Sequence, residues 1–310
     1  MHPSIELQQL RKAYGDFLAV DSVSLSVQPG QVYGLLGPNG AGKTTTIRML
    51  MDIIAPDRGR VLFFGQPRTR SELRRVGYLP EERGLYRKMT VLDHLVFLGE
   101  LRGLSRRQAI PAIDTYLERV ELTEWRKSKV EELSKGMQQK IQLVGTLLHD
   151  PDIVVLDEPF SGLDPINQGL FKEILSDFKQ RGKTILFSTH VMEQAEKLCD
   201  AIGLIARGKV VLDGDLAEIK KSFGRHSYRL VASGDLSRIK SIPGIEDCVE
   251  HDHFARILLD SDTSGSQVLR QLVEFLDVEE FQSEEPDLVE IFVAAVRKAG
   301  LVIDETDPSQ

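Results

Sequence analysis

The chain has 310 residues, 41% of them hydrophobic and 28% charged, enough apolar material for a true core and, at about 150 residues per domain, for two domains. A formal net charge of −8 argues against a surface that neutralises phosphodiester backbones, so nucleic acid is not an expected partner. Two cysteines, Cys199 and Cys248, are too few for a disulfide framework or a four-ligand zinc site, and the longest apolar runs fall far short of the roughly 20 residues that cross a bilayer. The amino terminus carries charges and no apolar block of signal-peptide length, so a cytoplasmic protein working outside the lipid is expected.

Residues 4–36 alternate apolar and polar positions in short runs broken at Tyr14-Gly15-Asp16 and Pro29-Gly30, the pattern of strands and hairpins. Val32–Leu36 reads as a strand entering a glycine-rich turn, after which Ile47, Leu50, Met51 and Ile54 recur at helical spacing. A helical insert is predicted over about 90–150, with Ser105 as an N-cap and Met137, Ile141, Val144 and Leu148 along one face of its last helix. Buried strands are predicted at Ile153–Leu156 and Thr184–Phe187, separated by a helix that Asp164 caps and Pro165 starts. Strands alternating with helices imply an α/β fold with a mainly parallel core sheet, beside the antiparallel β part that opens the chain.

After strands near Gly203–Ile205 and Val210–Leu212, a helix at Leu216–Phe223 ends at Gly224, where a boundary divides domains 1–223 and 224–310. The second domain reads as strand (Tyr228–Val231), helix (Leu236–Ile242), strand (Ile245–Val249), strand (Ala255–Leu259), helix (Gln267–Leu276) and strand (Val278–Gln282). That βαββαβ order predicts a ferredoxin-like α+β sandwich. A last helix carries Leu288, Ile291, Phe292, Ala295 and Val296 on one stripe, and the tail Asp304–Gln310 reads as polar and frayed.

Gly37, Pro38, Asn39, Gly40, Ala41, Gly42, Lys43 and Thr44 satisfy GxxxxGK[ST] between a predicted strand and a predicted helix. Glycines let successive N–H groups curl around phosphate oxygens, and the helix that begins at Lys43, Thr44 and Thr45 adds its positive end. Lys43 would meet the β and γ phosphates of ATP, and the Thr44 hydroxyl a magnesium ion. Asp157 and Glu158 end an apolar strand, so they should emerge where open sheets place ligands, Asp157 to hold magnesium and Glu158 to polarise the attacking water. His251 and His253 flank Asp252, but a polar turn is the better reading than a metal clip.

A phosphate loop alone leaves kinases, GTPases and helicases open. The further order of motifs over roughly residues 5–220 resembles the nucleotide-binding subunit of ATP-binding-cassette (ABC) transporters, which are P-loop NTPases. Leu133-Ser134-Lys135-Gly136-Met137 is similar to the family's LSGGQ signature, Ser161-Gly162-Leu163-Asp164 to its D-loop, and Thr189-His190 to its switch histidine. The resemblance implies an ATPase acting as a head-to-tail homodimer, in which Ser134 and Gly136 of one copy close over the γ-phosphate held by the other. It implies γ-phosphate contact for His190, communication between copies for Asp164, and adenine stacking for Tyr14. It further implies a separate integral-membrane permease that brings the chain to the inner face of the cell membrane.

Two departures stand out. Glu81, in Leu79–Tyr86, occupies the place where the family usually has glutamine; a carboxylate there can still act as a magnesium ligand, with added negative charge. Lys135 and Met137 replace a glycine and the glutamine of the usual signature, while Ser134 and Gly136 remain. The Leu79–Tyr86 run, the Leu-Ser-Lys-Gly signature and the extra carboxyl-terminal domain resemble the bacterial exporter branch of sodium-extrusion and drug-resistance ATPases. In that branch Glu81 to Tyr86 would report nucleotide state to the membrane partner. A cytosolic ABC-type ATPase without a transport role, and a P-loop phosphotransferase, remain as alternatives.

Overall fold

The structure is a computed structural model, and it describes residues 2–82, 84–224, 227–250, 253–260, 262–284 and 287–301. His251, Asp252 and the tail from Asp304 lie outside them, as does Arg83 within the Glu81 loop. The chain divides into two compact units between Asp213 and Gly214, ten residues ahead of the glycine at which the sequence pattern places the boundary.

The first unit opens with β1 (Ile5–Tyr14), β2 (Phe17–Val27) and β3 (Val32–Leu36), then α1 (Lys43–Leu50), β4 (Arg58–Phe63), β5 (Gln66–Pro67), α2 (Arg70–Leu73) and β6 (Val76–Leu79). The helical part follows as α3 (Val91–Leu101), α4 (Arg106–Arg119), two short 3-10 turns and α5 (Lys135–Leu147). It closes with β7 (Ile153–Asp157), α6 (Pro165–Gln180), β8 (Thr184–Thr189), α7 (Met192–Leu198), β9 (Ala201–Ala206) and β10 (Lys209–Asp215), the strand on which the division falls. Strands β2-β1-β4-β5 form an antiparallel sheet and β10-β9-β3-β8-β7-β6 the core sheet, whose β9-β3-β8-β7-β6 pairings are parallel.

Period-two alternation decides what each face of the core sheet packs against. Val154, Leu156, Ile185 and Phe187 face the helical part and α6, in a cluster with Leu95, Ile113, Val144, Phe171 and Phe178. Ile153, Val155, Leu186, Tyr33 and Leu35 face the other way, toward α1 and the antiparallel sheet, with Ile5, Leu25, Ile47 and Phe63. Both faces are covered, so these strands read in the sequence as unbroken apolar runs. The predicted caps hold: Gln108 Oε1 accepts the Ser105 N–H at 3.0 Å, and Asp164 Oδ1 accepts the Asn167 N–H at 3.0 Å ahead of Pro165.

The second unit comprises α8 (Leu216–Gly224), β11 (Ser227–Gly234), a 3-10 turn, β12 (Ile245–Glu250), β13 (Ala255–Leu259), α9 (Gly265–Leu272), β14 (Leu276–Ser283) and α10 (Leu288–Lys298). Its sheet order β12-β13-β11-β14, antiparallel throughout, is the ferredoxin-like arrangement expected from the βαββαβ pattern. Two details differ. The predicted helix at Leu236–Ile242 is a 3-10 helix over Leu236–Ser241, because Asp235 binds the Ser237 N–H in a tight turn and Pro243 prevents continuation. The second helix starts earlier, at the Ser264–Gln267 capping pair, and ends at Leu272, so that Leu276 pairs with Gly234 in the sheet. The stripe Leu288, Ile291, Phe292, Ala295 and Val296 of α10 is buried as expected.

Candidate functional site

Three neighbouring parallel strands end at one level of the core sheet. Register sets Leu36 of β3 beside Thr189 of β8, and Asp157 of β7 beside Ser188. Gly37, Glu158 and His190 therefore leave the sheet side by side at its carboxyl edge, where open α/β sheets hold ligands.

The loop after β3 can only be built from glycine at two places. A Cβ on Gly37 would lie 2.1 Å from the Ile205 carbonyl oxygen, and one on Gly42, at φ 107°, 2.5 Å from that of Ala19. Between them Ala41 is buried, while Asn39 and Gly40 are exposed at the loop's crest and Pro38 is half-buried. The first bond of α1, from the Thr46 N–H to the Gly42 oxygen at 2.9 Å, leaves the N–H groups of Lys43, Thr44 and Thr45 outside the helix ladder. That is an anion-binding helix start.

Lys43 Nζ donates to the Gly37 oxygen at 2.7 Å and the Pro38 oxygen at 3.1 Å, and lies 3.5 Å from Glu158 Oε1. Burial pulls its pKa below the ordinary value, against the opposing pull of Glu158. Asp157 is 1% exposed, and its Oδ1 accepts from Ser188 Oγ at 2.6 Å and from Thr44 Oγ1 at 3.2 Å. Its Oδ2 is buried without a hydrogen-bond partner, and burial, reinforced by Glu81 and Glu158, raises the carboxyl's pKa. A buried carboxylate oxygen left single is costly unless a cation or its water belongs there.

Ser188 ties the Asp157 carboxylate to the Glu158 backbone: its hydroxyl donates to Asp157 and accepts the Glu158 N–H at 3.0 Å. Glu158 sits at φ 48°, a left-handed backbone that costs a residue with a side chain about 1–2 kcal/mol and marks a position held for a purpose. His190 Nδ1 stands 3.1 Å from both Glu158 oxygens. Lys43, Thr44, Asp157, Glu158 and His190 thus form one connected cluster. Glu81 lines a cavity of about 280 Å³ together with Asp157, Glu158, Pro159 and Ser161. Among the described residues no three His, Cys, Asp or Glu side chains are placed to hold a metal ion by themselves.

Tyr14, Ser134, Gly136 and Asp164 stand outside this cluster. Tyr14 ends β1 half-exposed, with Lys12 Nζ 5.8 Å from its ring centre. Exposed Ser134 caps α5, accepting the Met137 N–H at 3.3 Å. Gly136 lies beside the start of α6, where a Cβ would meet Asn167 Nδ2 at 3.5 Å, and Asp164 is an exposed cap there. Sequence reasoning missed Ser188, whose signal is a hydroxyl one strand over from Asp157 at the end of an apolar run. It also missed Gln139 and Gln142, buried on α5 and lining the cavity.

Residues 20–161 match the family model described as ABC transporter, and residues 214–296 that of the ATP-binding protein DrrA1-3-like, C-terminal domain. The chain is 41% identical over 292 residues to the uncharacterized ABC transporter ATP-binding protein YhaQ of Bacillus subtilis (strain 168), over 94% of this chain and 98% of that one. It belongs to the ABC transporter ATP-binding proteins. This ABC protein is also 42% identical over 214 residues to the Nod factor export ATP-binding protein I of Paraburkholderia xenovorans (strain LB400), covering 68% of the chain and 70% of the relative. A solved ATP-binding subunit of an ABC transporter, 32% identical, superposes with a TM-score of 0.66 over 71% of this chain and 93% of its own. As a member of the family the ABC chain binds ATP and hydrolyses it to power transport, which sets the phosphotransferase reading aside. Its carboxyl-terminal unit is of the DrrA-like type expected from the exporter-branch resemblance. ATP-binding subunits of this kind work with membrane permeases, and no described helix here is long and apolar enough to cross a membrane itself.

Proposed function

We propose that this chain is the magnesium-dependent motor of an exporter, working as a homodimer on the inner face of the cell membrane beneath a separate permease. The observation that carries it is the bonded cluster at the strand ends: phosphate loop, Thr44, Asp157, Glu158 and His190, with one buried Asp157 oxygen left over. Thr44 and Asp157 would hold magnesium, with Glu81 of the adjoining cavity as a further oxygen ligand; bound magnesium neutralises charge on the β and γ phosphates. On nucleotide binding the Lys43 ammonium exchanges the Gly37 and Pro38 carbonyls for phosphate oxygens. Glu158 takes a proton from the attacking water as the water oxygen bonds to the γ-phosphorus and the bond to the β-phosphate oxygen breaks. His190, already at Glu158, contacts the γ-phosphate and orients both, and Tyr14 stacks on the adenine.

Support for a second copy comes from what this one exposes. Ser134 at a free helix start, Asp164, and Ile166 at 84% exposure on the first turn of α6 form a surface with anion-binding and apolar parts. Ser134 and Gly136 of one copy over the phosphate loop of the other would enclose the triphosphate, and Asp164 would sense closure. The membrane subunit docks against the groove of about 300 Å³ between the Glu81 loop and α3, lined by Tyr78, Leu85, Leu98 and Leu101. Export as the direction follows the Nod factor export relative.

The Glu158→Gln variant tests the chemistry. With magnesium and ATP its turnover should fall at least about a hundredfold, the contribution of a positioned general base, and an ATP-bound dimer should accumulate in sedimentation. Ordinary turnover by that variant contradicts the mechanism.

A further inference from the structure

Helix α5 is buried on most sides, yet three of its buried positions are polar: Gln139, Gln142 and Thr146. Their spacing, three and then four residues, puts them on one face of the helix. Each binds backbone carbonyls of a segment that serves the site. Gln139 Nε2 donates to the Pro159 oxygen at 3.0 Å and the Ser161 oxygen at 3.4 Å, the stretch directly after Glu158. Gln142 Nε2 donates to the Pro80 oxygen at 3.2 Å and the Glu82 oxygen at 3.3 Å, the two carbonyls that flank Glu81. The single Thr146 Oγ1 proton is shared between the Gln142 oxygen of its own helix at 2.9 Å and the Tyr78 oxygen at 3.2 Å, on the strand that feeds that loop.

Both glutamines line the cavity shared by Glu81, Asp157 and Glu158, and Gln139 Oε1 is buried there without a partner. Gln142 and Pro80 also line the groove on the α3 side, so one amide forms part of the wall between the two spaces. An amide buried on a helix costs more than leucine unless its bonds are made, and these bonds go to loops rather than to the helix's own core.

We propose that Gln139 and Gln142 are positioning residues for hydrolysis: they fasten the Glu158 loop and the Glu81 loop to the helix that begins at Ser134. A shift of α5, whether imposed at its Ser134 tip or through the groove, then moves both carboxylates together. The proposal rests on Glu158 as the group that activates water. Lys43 and the phosphate loop take no part in these bonds, so nucleotide affinity is independent of them.

The test compares steady-state ATP hydrolysis and ATP affinity of the full chain in Gln139→Met and Gln142→Met, which keep volume and remove the donors. Each should lower kcat about tenfold, as expected when a general base is displaced by a fraction of an ångström, with the Kd for ATP unchanged within about twofold. Gln142→Met should in addition raise the magnesium concentration needed for half-maximal rate. Should a methionine variant fail to fold, Gln142→Leu and Gln139→Leu, uncharged and equally without the donor, give the same comparison. Unchanged kcat in the folded variants overturns the proposal, as does a kcat that falls only in step with ATP affinity and thermal stability. Loss of turnover in Glu158→Gln beside normal rates in the glutamine variants overturns the coupling alone and leaves the chemistry standing.

Discussion

Asp157 is a buried carboxylate with one oxygen satisfied twice and the other not at all. Its pKa is raised, first by burial, so the folded chain holds that proton more tightly than the unfolded one, and ionisation weakens folding as pH rises through the folded pKa. Asp157→Asn keeps an acceptor for Ser188 and Thr44 and removes the charge. Near neutral pH the variant should melt at a higher temperature than the parent chain. The gain should shrink as pH falls toward the ordinary aspartate range, where both forms are neutral, while magnesium-dependent turnover is lost; thermal unfolding across pH checks the sign. The residues proposed to meet ATP are legible in the sequence because phosphate and magnesium chemistry fixes their types and spacing. Ser188, Gln139 and Gln142 are not, since they act through strand register and backbone carbonyls that no local pattern records.

At the scale of elements, the turn from β3 into α1 is the part with least tolerance. Gly42 combines φ 107° with a backbone oxygen where its Cβ would go, and the obstructing atom is not a flexible side chain. Gly42→Ala should therefore displace the loop, weakening ATP binding at least about tenfold and destabilising the fold by about 1–3 kcal/mol. Titration with ATP, with thermal unfolding alongside, measures both. Element types were readable where periodicity was strong: the apolar runs of β7 and β8, buried on both faces, and the stripe of α10. The Leu236–Ser241 segment looked helical because its apolar spacing fits either helix type, and only Asp235 and Pro243 at its ends select the tighter one.

At the scale of the whole molecule, the proposed dimer would have each cassette supply half of what hydrolysis needs. The phosphate loop, both carboxylates and His190 are assembled within one copy, while Ser134 stands at an exposed helix start. Burial raises the thiol pKa values of Cys199 and Cys248, that of Cys248 to about 11, so neither competes with an introduced thiol. The central claim, that ATP is clasped between the phosphate loop of one copy and the Ser134 tip of another, is tested most directly by disulfide trapping. A Glu158→Gln chain that also carries Lys135→Cys, exposed beside the tip and leaving the Ser134 hydroxyl in place, and Asn39→Cys should form a disulfide-linked dimer on adding magnesium and ATP, and only monomer without nucleotide. A chain that binds ATP yet links to the same extent with and without it, or never links, contradicts the account.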